Sequence, residues 1–343
     1  MTKSSILLLL GLALFLPACA GPGKGALDKP QALQSLYDFH LVSAKDGQPQ
    51  SLEQVVQQLA DVDVVFIGEY HGHNGAHYFQ ARMLAELHRQ QPDLVLSMEQ
   101  FTIEHQATLN QYLKGEIGEA TLLEEAEAWP NYRASYRPLV EFARSHSLPV
   151  IAANAPADVV RCVGRVGADY LDHLEPSERS ELPEAPFFTV PAYEDKFAAA
   201  MGQQNRGIAG GRLFHAQLLR DNTMAKAILE AYRARPGQQI IHVNGTFHSE
   251  EHLGTVAALA WRDPDLSIRV VSPVIADNPD RPELKPGDSK KGDQLYMLRE
   301  LPKDYVDPER QREMLKRHHN KAADPACDSP GQATGYTAPT TKT

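Results

Sequence analysis

A carboxylate and an imidazole, Glu69 and His71, stand two positions apart directly after an apolar run in the segment VDVVFIGEYHGHN, residues 62–74. Apart from Asp63, the run 62–67 is β-branched and apolar, which is typical of a buried strand in a parallel sheet. Side chains two positions apart in an extended chain leave the same face of a strand. The two groups therefore meet at one point, where they could bind a metal ion or move a proton.

Polar side chains follow three further apolar runs along the chain. Each run is short enough for a buried strand, and the side chains that follow the three runs are Glu99, Asn154 and His248. Apolar stripes at helical spacing predict helices between the runs, over residues 76–90, 137–145 and 213–234. The sequence therefore predicts an α/β fold: a mostly parallel sheet flanked by helices. In open sheets of this kind the site lies at the carboxyl edge of the strands.

The polar side chains at this edge leave the chemistry open. Two Glu and two His without thiols would suit Zn, Mn or Fe with one open coordination position, and the predicted metal ligands are Glu69, His71, Glu99 and His248. One carboxylate would then bind the metal while the other activates a metal-bound water, as in a metal-dependent protease or esterase. Alternatively, His71 acts alone as a general base that Glu69 or Glu99 orients.

One carboxylate interrupts the apolar stripe of the predicted helix 213–234. Asp221 occupies a position of the stripe, and Gln217 lies one turn before it. Because a carboxylate on a buried face must find a partner, we expect Asp221 and Gln217 to form an outer shell that orients one of the histidines. The alternative is that Asp221 pairs with Arg220 or Arg212 at the edge of the domain.

The N-terminus has the pattern of an export signal. A basic start, an apolar run over residues 6–16 and the sequence LPAC predict a signal peptide over residues 1–18 and lipidation of Cys19, followed by a linker over 19–50. Two other cysteines, Cys162 and Cys327, could pair in an oxidising periplasm. The sequence does not favour that pair, because Cys327 lies in a charged, Pro- and Thr-rich tail over residues 302–343.

Composition and length bound the remaining possibilities. The formal net charge of −10 argues against a nucleic-acid surface, which needs clustered Lys and Arg. The segment 51–301 suits one α/β domain, and the long stretches between the predicted strands are expected to form helical lids over the site. Within them, helices are predicted over 101–114 and 121–129.

Several motifs together resemble the ChaN family of bacterial haem-binding lipoproteins, which are grouped in a superfamily with Tiki-type metalloproteases and erythromycin esterases. The resemblance spans about residues 59–272. Its motifs are GEYH at 68–71, MEQ at 98–100, Trp129 with YRP at 136–138, AAN at 152–154, Gln217 with Asp221, and NGTFH at 244–248.

The resemblance implies that the protein binds haem, that a tyrosine ligates the iron, and that a homodimer stacks two haems face to face. A phenolate is a hard anionic ligand and holds ferric haem in catalase. The candidate ligands, in order of preference, are Tyr136, Tyr132 and Tyr70. Side chains that could anchor a propionate or supply a second ligand are His71, His73 and His77, and Asn154 joins the cofactor-binding set.

The sequence is therefore interpreted as an outer-membrane lipoprotein that faces the periplasm, binds haem and takes part in haem or iron acquisition. Its predicted partners are haem, the membrane through the lipid anchor, and a second copy of the chain. The alternative is a metal-dependent hydrolase that uses the Glu and His cluster.

Overall fold

The computed structural model describes residues 31–201, 208–321 and 327 of the 343-residue chain. These residues contain one eight-stranded sheet with the order β2-β1-β8-β7-β3-β6-β4-β5. The strands are β1 (Phe39–Ser43), β2 (Pro49–Gln50), β3 (Val64–Glu69), β4 (Leu94–Thr102), β5 (Val150–Asn154), β6 (Gln239–Gly245), β7 (Ile268–Ala276) and β8 (Gln294–Arg299). Neighbours from β8 to β5 pair in parallel, whereas β1 runs antiparallel to β8 and β2. The predicted α/β fold with a mostly parallel sheet is confirmed.

The helices of the described residues cover both faces of the sheet. They are α1 (Leu52–Leu59), α2 (Asn74–Gln90), α3 (Gln106–Leu113), α4 (Glu119–Glu125), α5 (Tyr132–Ser135), α6 (Arg137–Ser145), α7 (Ala157–Val166), α8 (Pro176–Glu181), α9 (Pro191–Met201), α10 (Ile208–Ala234), α11 (Thr255–Arg262) and α12 (Pro308–Lys321). In the part of the chain that the structure describes, none of them is long and apolar enough to cross a membrane.

The two faces of β3 belong to different cores, because successive side chains of a strand point to opposite sides. Ile67 packs in a core with Phe79 of α2, whereas Phe66 packs in a core with Ile228 of α10 and Leu259 of α11. The helix that follows β3 therefore covers one face, and the helix that follows the neighbouring strand β6 covers the other. Connections that leave adjacent strands toward opposite faces open a crevice at their carboxyl ends.

The strand β4 is longer than expected. It continues through Glu99 to Thr102, where it pairs with Asn154 of β5 after a shift in register that follows Met98. The prediction that the strand ends at Glu99 and that a helix starts at residue 101 was wrong. Phe101 is buried as part of the sheet, a 3₁₀ turn spans Ile103–His105, and α3 begins at Gln106.

The N-terminal boundary of the domain also differs from the expectation. The stretch 39–50 was predicted to belong to a linker, but it contains β1 and β2 joined by a turn, and Leu41 and Val42 are buried. Phe39 pairs with Leu298, so β1 starts beside the carboxyl end of β8. The predicted signal peptide and Cys19 lie outside the described residues.

The predicted unstructured tail was wrong over α12, which spans Pro308–Lys321. Farther along, Cys327 forms a disulfide with Cys162 of α7, and both residues are buried. This is the pair that the sequence did not favour. The disulfide links Cys327 covalently to the domain. The sequence around Cys327 does not reveal this link, because its partner lies 165 positions away.

Candidate functional site

The carboxylate of Glu69 lies at the centre of the first half of the site, at the end of β3. Its Oε1 accepts hydrogen bonds from His71 Nδ1 and from the hydroxyl of Tyr136, both at 2.7 Å. Its Oε2 lies 3.3 Å from His77 Nδ1. Burial alone would raise the pKa of Glu69, but the hydrogen bonds from His71 and His77 lower it to about 2. Glu69 is therefore a fixed negative charge.

His71 presents its other nitrogen to the crevice. Glu69 holds Nδ1, while the side chain stays 46% exposed and Nε2 makes no hydrogen bond within the described part of the chain. Nε2 lies over Gly245 of β6, where an added Cβ would be 2.7 Å from it. Burial lowers the pKa of His71, but Glu69 and Glu99 together raise it above its usual value.

A second carboxylate–histidine pair forms the other half of the site. Glu99 Oε2 accepts a hydrogen bond from the backbone N–H of Gly245 at 2.6 Å, and Oε1 lies 3.4 Å from His248 Nε2. The opposite nitrogen of His248, Nδ1, lies 2.7 Å from Asp221 Oδ1. Burial would lower the pKa of His248, but Glu99 and Asp221 raise it to about 10. His248 is therefore an imidazolium held between two carboxylates.

Asp221 contacts His248, in line with the prediction that this carboxylate in the apolar stripe of the helix orients one of the histidines. Asp221 also accepts hydrogen bonds from Thr255 Oγ1 and the Tyr193 hydroxyl, both at 2.8 Å. Gln217 Nε2 donates to the Tyr193 oxygen at 3.0 Å and lies 3.1 Å from His248 Nδ1. Sequence reasoning missed Tyr193 as a member of this network. The prolines of the segment predicted a loop, whereas Tyr193 is a buried residue in the first turn of α9.

The four predicted metal ligands gather at one edge but form two separate pairs. His248 directs both ring nitrogens to carboxylates, Nε2 to Glu99 and Nδ1 to Asp221. Glu99 already accepts from Gly245. Among the residues with described positions, no group of three or more His, Cys, Asp or Glu side chains is arranged to hold a metal ion. The predicted Zn, Mn or Fe site therefore has no support.

The three predicted tyrosine ligands point their hydroxyls into the protein. Tyr136 is fully buried and donates to Glu69, and Tyr132 is buried against Phe101. Burial and the Glu69 charge raise the pKa of Tyr136. The half-buried Tyr70 donates to the carbonyl of Pro273, and burial together with Glu250 and Asp288 raises the pKa of Tyr70 to about 12. In this arrangement all three are protonated phenols.

The remaining predicted site residues have structural contacts. His73 is the N-cap of α2: Nδ1 accepts from the Gly75 N–H, and Nε2 donates to the Arg299 carbonyl. His77 Nε2 accepts from the Gly72 N–H, so both of its nitrogens are also occupied. Asn154 accepts from the N–H of Ala155 and makes no contact with the Glu and His pairs among the described contacts.

An open aromatic cavity of about 620 Å³ lies at the same edge of the sheet, between the start of β1 and α2. Tyr37 and Tyr78 in its wall are 59% and 43% exposed. The Tyr78 ring contacts Tyr37 edge-on, with ring centroids 6.5 Å apart, and Phe39 at a tilt, with centroids 6.1 Å apart. The lining residues are Gln31, Ala32, Gln34, Tyr37, Asp38, Phe39, His40 and Tyr78. Sequence reasoning missed this aromatic cavity because most of its wall belongs to the stretch predicted as a linker.

A family model described as haem-binding uptake, Tiki superfamily, ChaN matches residues 55–259, more than half of the chain. The chain belongs to the ChaN family. The matched part of this ChaN protein runs from α1 into α11 and includes both carboxylate–histidine pairs. The resemblance that the sequence motifs indicated is confirmed.

The chain is also similar to solved structures. One, described as cofacial haem binding to ChaN of Campylobacter jejuni, has a TM-score of 0.59 and 16% identity over 78% of this chain and 100% of that chain. An erythromycin esterase mutant in its open conformation has a TM-score of 0.41 and 13% identity over 81% of this chain and 87% of that chain. RRSP, a MARTX toxin effector domain from Vibrio vulnificus, has a TM-score of 0.39 and 14% identity over 65% of this chain and 36% of that chain. No curated protein matches the chain.

Proposed function

We propose that this ChaN protein binds haem at the bacterial cell envelope and takes part in haem or iron acquisition. The observation that carries the proposal is the family match over residues 55–259, which joins the chain to haem-binding uptake proteins. The similar fold of the Campylobacter jejuni ChaN, whose structure is described as binding haem cofacially, adds support.

The aromatic cavity is an open space whose wall combines aromatic rings with polar residues such as Gln34, Asp38 and His40. A haem needs apolar walls and a donor atom that its iron can reach. The volume of about 620 Å³ lies in the range of small-molecule sites, Phe39 supplies an apolar wall, and Tyr37 and Tyr78 supply exposed phenols. In contrast, the hydroxyl of Tyr136 is enclosed and hydrogen-bonded to Glu69. When haem is bound, its iron would be the cargo in haem or iron acquisition.

The envelope location rests on two features of the chain. The predicted signal peptide and Cys19 have the pattern of a lipoprotein, which we propose is anchored in the outer membrane and faces the periplasm. The Cys162–Cys327 disulfide is typical of a protein that matures in an oxidising compartment. A homodimer is part of the proposal because the cavity is open and a second copy would cover a haem bound there.

The proposal is tested by haemin titration of the detergent-solubilised full chain, followed by absorbance and by sedimentation velocity. We expect a saturable Soret shift at a fixed haem-to-protein ratio, with a larger sedimenting species as haem is added. The urea-unfolded chain is the control for nonspecific haemin adsorption. A shift that grows without saturation, or that the unfolded chain reproduces, would contradict haem binding.

A second candidate function is metal-free acid–base chemistry, which His71 favours. Its Nδ1 is held by Glu69 and its Nε2 is free and half-exposed above Gly245, an arrangement suited to a general base in a hydrolase. The measurement is hydrolysis of a panel of fluorogenic esters and peptides with and without a chelator.

If the second candidate is correct, His71→Gln lowers the rate by roughly 10²- to 10⁴-fold. The chelator has no effect, and the distant His88→Gln variant keeps the full rate. Absence of turnover across the panel, or a rate that survives His71→Gln, would rule out this role.

A further inference from the structure

Two histidines from different helices meet at the edge of the sheet opposite the crevice. His88 lies in the last turn of α2, and His146 is the C-cap of α6. The centres of the two imidazole rings are 4.6 Å apart, and the ring planes cross at 65°. His88 is partly exposed and His146 is exposed, so solvent reaches both rings.

The strand order brings these two helix ends together. The helix α2 leads into β4 and α6 leads into β5, and the two strands are parallel neighbours in the sheet. Both helices therefore end at the amino edge of the sheet, whereas Glu69 and His248 lie at its carboxyl edge. The histidine pair is thus separate from the two carboxylate–histidine pairs of the crevice.

The ring of His146 is fixed in a tautomer that can bind a metal ion. Its Nδ1 lies 2.9 Å from the carbonyl oxygen of Phe142, and because a carbonyl only accepts, Nδ1 carries the hydrogen and Nε2 remains available. The ring also stacks on the Phe142 ring, with centroids 4.1 Å apart. Metal-binding histidines commonly donate their second nitrogen to a backbone carbonyl in this way.

The ring of His88 offers a second nitrogen at a suitable distance. It makes no hydrogen bond with the residues that the structure describes, and it contacts the Phe142 ring edge-on, with centroids 5.4 Å apart. Two imidazoles that share one metal ion at a metal–nitrogen distance of about 2.0–2.1 Å have ring centres roughly 4.5–5.5 Å apart. The separation of 4.6 Å between His88 and His146 lies in that range.

The charges around the pair favour a bound cation. The C-terminus of a helix carries a partial negative charge, and each of the two rings stands at such an end. The cationic neighbours are drawn to other groups: Arg89 binds Glu86 at 2.8 Å, and the Arg144 guanidinium lies over the Tyr112 ring. The site therefore combines two nitrogen donors with a local field that attracts a cation.

We infer that His88 and His146 form a binding site for a transition-metal cation of the class of Cu²⁺ and Zn²⁺. Each ring supplies one nitrogen, and water completes the coordination. Imidazole suits these ions, whereas Mg²⁺ and Ca²⁺ prefer oxygen ligands. The bound ion links α2 to α6 and thereby stabilises the folded chain. The inference goes beyond haem binding and does not depend on it.

The test is titration of the detergent-solubilised full chain, without haem, with CuCl₂ and with ZnCl₂. Calorimetry measures both affinities, and electron paramagnetic resonance follows the copper. We expect saturable binding, tighter for copper than for zinc, and a copper spectrum with hyperfine coupling to two nitrogens. Zinc should also raise the melting temperature. The same concentration of MgCl₂ is expected to change nothing.

Variants of the two ligands locate the site. His88→Gln and His146→Gln are each expected to weaken binding by more than the roughly 10- to 100-fold that loss of an outer-shell partner costs, and to remove the rise in melting temperature with zinc. The controls are His173→Gln, at another exposed position, and the double variant His318→Gln, His319→Gln in the C-terminal segment. Both keep the site, and circular dichroism confirms that each variant is folded.

The outcomes separate this inference from the proposed function. Copper or zinc binding that survives both His88→Gln and His146→Gln, or that the C-terminal double variant removes, overturns the inference because the ion then binds elsewhere. Loss in only one of the two ligand variants also overturns it, as does an equal response to MgCl₂. Haemin titration of His88→Gln should give the wild-type Soret shift, so failure of the metal site leaves haem binding intact.

Discussion

At the scale of single residues, the pKa values of three buried or half-buried histidines shift in different directions because their neighbours differ. Carboxylates surround His71 and His248 and raise the pKa of both. His242 of β6 is fully buried, contacts Ser97 Oγ through Nδ1 at 2.9 Å and packs edge-on against Phe66. Burial lowers the pKa of His242 to about 3, so it is neutral in the folded protein.

His242 should make the fold sensitive to acid. The pKa of His242 is about 3 in the folded protein and 6.5 in the unfolded chain. As the pH falls below 6.5 the unfolded chain takes up a proton that the folded protein does not, so the stability present above pH 6.5 is lost progressively toward pH 3. The loss amounts to roughly 4 kcal/mol across that window. We expect His242→Gln to flatten the pH dependence of the free energy of unfolding, measured by urea titration from pH 7 to pH 3.5. A variant with the same pH slope as the wild type would show that other groups dominate.

Gly245 is a second residue on which the site depends. A Cβ there would lie 2.7 Å from His71 Nε2, so Gly245→Ala should push the imidazole away from the crevice and disturb its edge contact with Trp129. We expect a loss of stability of about 1–3 kcal/mol and a change in tryptophan fluorescence. Gly211→Ala is the control, because nothing lies within 4 Å of the added methyl group. Identical effects of the two substitutions would contradict the close approach.

At the scale of elements, helix ends are held by local contacts that the sequence reveals. Ser51 and Gln54 form a capping box at the start of α1, an arrangement of Ser followed three residues later by Gln that a sequence displays directly. The longer helix α2 uses a less common N-cap, His73, whose second nitrogen binds the end of β8. A cap that also reaches across the sheet cannot be recognised from the sequence around the helix.

Removal of the Ser51 cap should destabilise the domain modestly. Ser51→Ala deletes the side-chain acceptor of the Gln54 N–H and is expected to cost about 1 kcal/mol. Thermal melting followed by circular dichroism measures the change. Ser177→Ala, at an exposed position of α8 that is not the cap, is expected to leave the melting temperature nearly unchanged. A melting temperature for Ser51→Ala no lower than that of Ser177→Ala would refute the contribution of the capping box.

At the scale of the whole molecule, the disulfide joins distant parts of the chain. Cys162 and Cys327 are 165 positions apart, so the cross-link closes a loop that spans about half of the protein. Such a link restricts the unfolded chain. It also joins α7 to a residue beyond α12.

Loss of the disulfide should therefore lower the global stability. The double variant Cys162→Ser, Cys327→Ser is expected to lose about 2–5 kcal/mol of unfolding free energy relative to the oxidised wild type. The reduced wild type should behave like the double variant. Detection of two free thiols in the unfolded, non-reduced protein would show instead that the bond does not form.

The alternation of apolar runs and amphipathic stripes was enough to predict the parallel sheet, because strand and helix periods are local properties. The polar residues after β3 and β6, and Asp221 within the stripe of α10, could be located for the same reason. Only the tertiary structure decided which groups pair. β6 lies between β3 and β4, so Glu69 and Glu99 bind different histidines and form no shared metal site.

Burial and the cavity were likewise decided by the tertiary structure. The motif that contains Tyr136 could be read from the sequence, but its enclosure against Glu69 results from packing between α5, α6 and β3. The cavity exists because β1 adds to β8 and brings Tyr37 and Phe39 to Tyr78. The sequence by itself determined the types of the elements and the chemistry they carry. Strand order and solvent access depend on contacts between residues far apart in the chain, which no local pattern records.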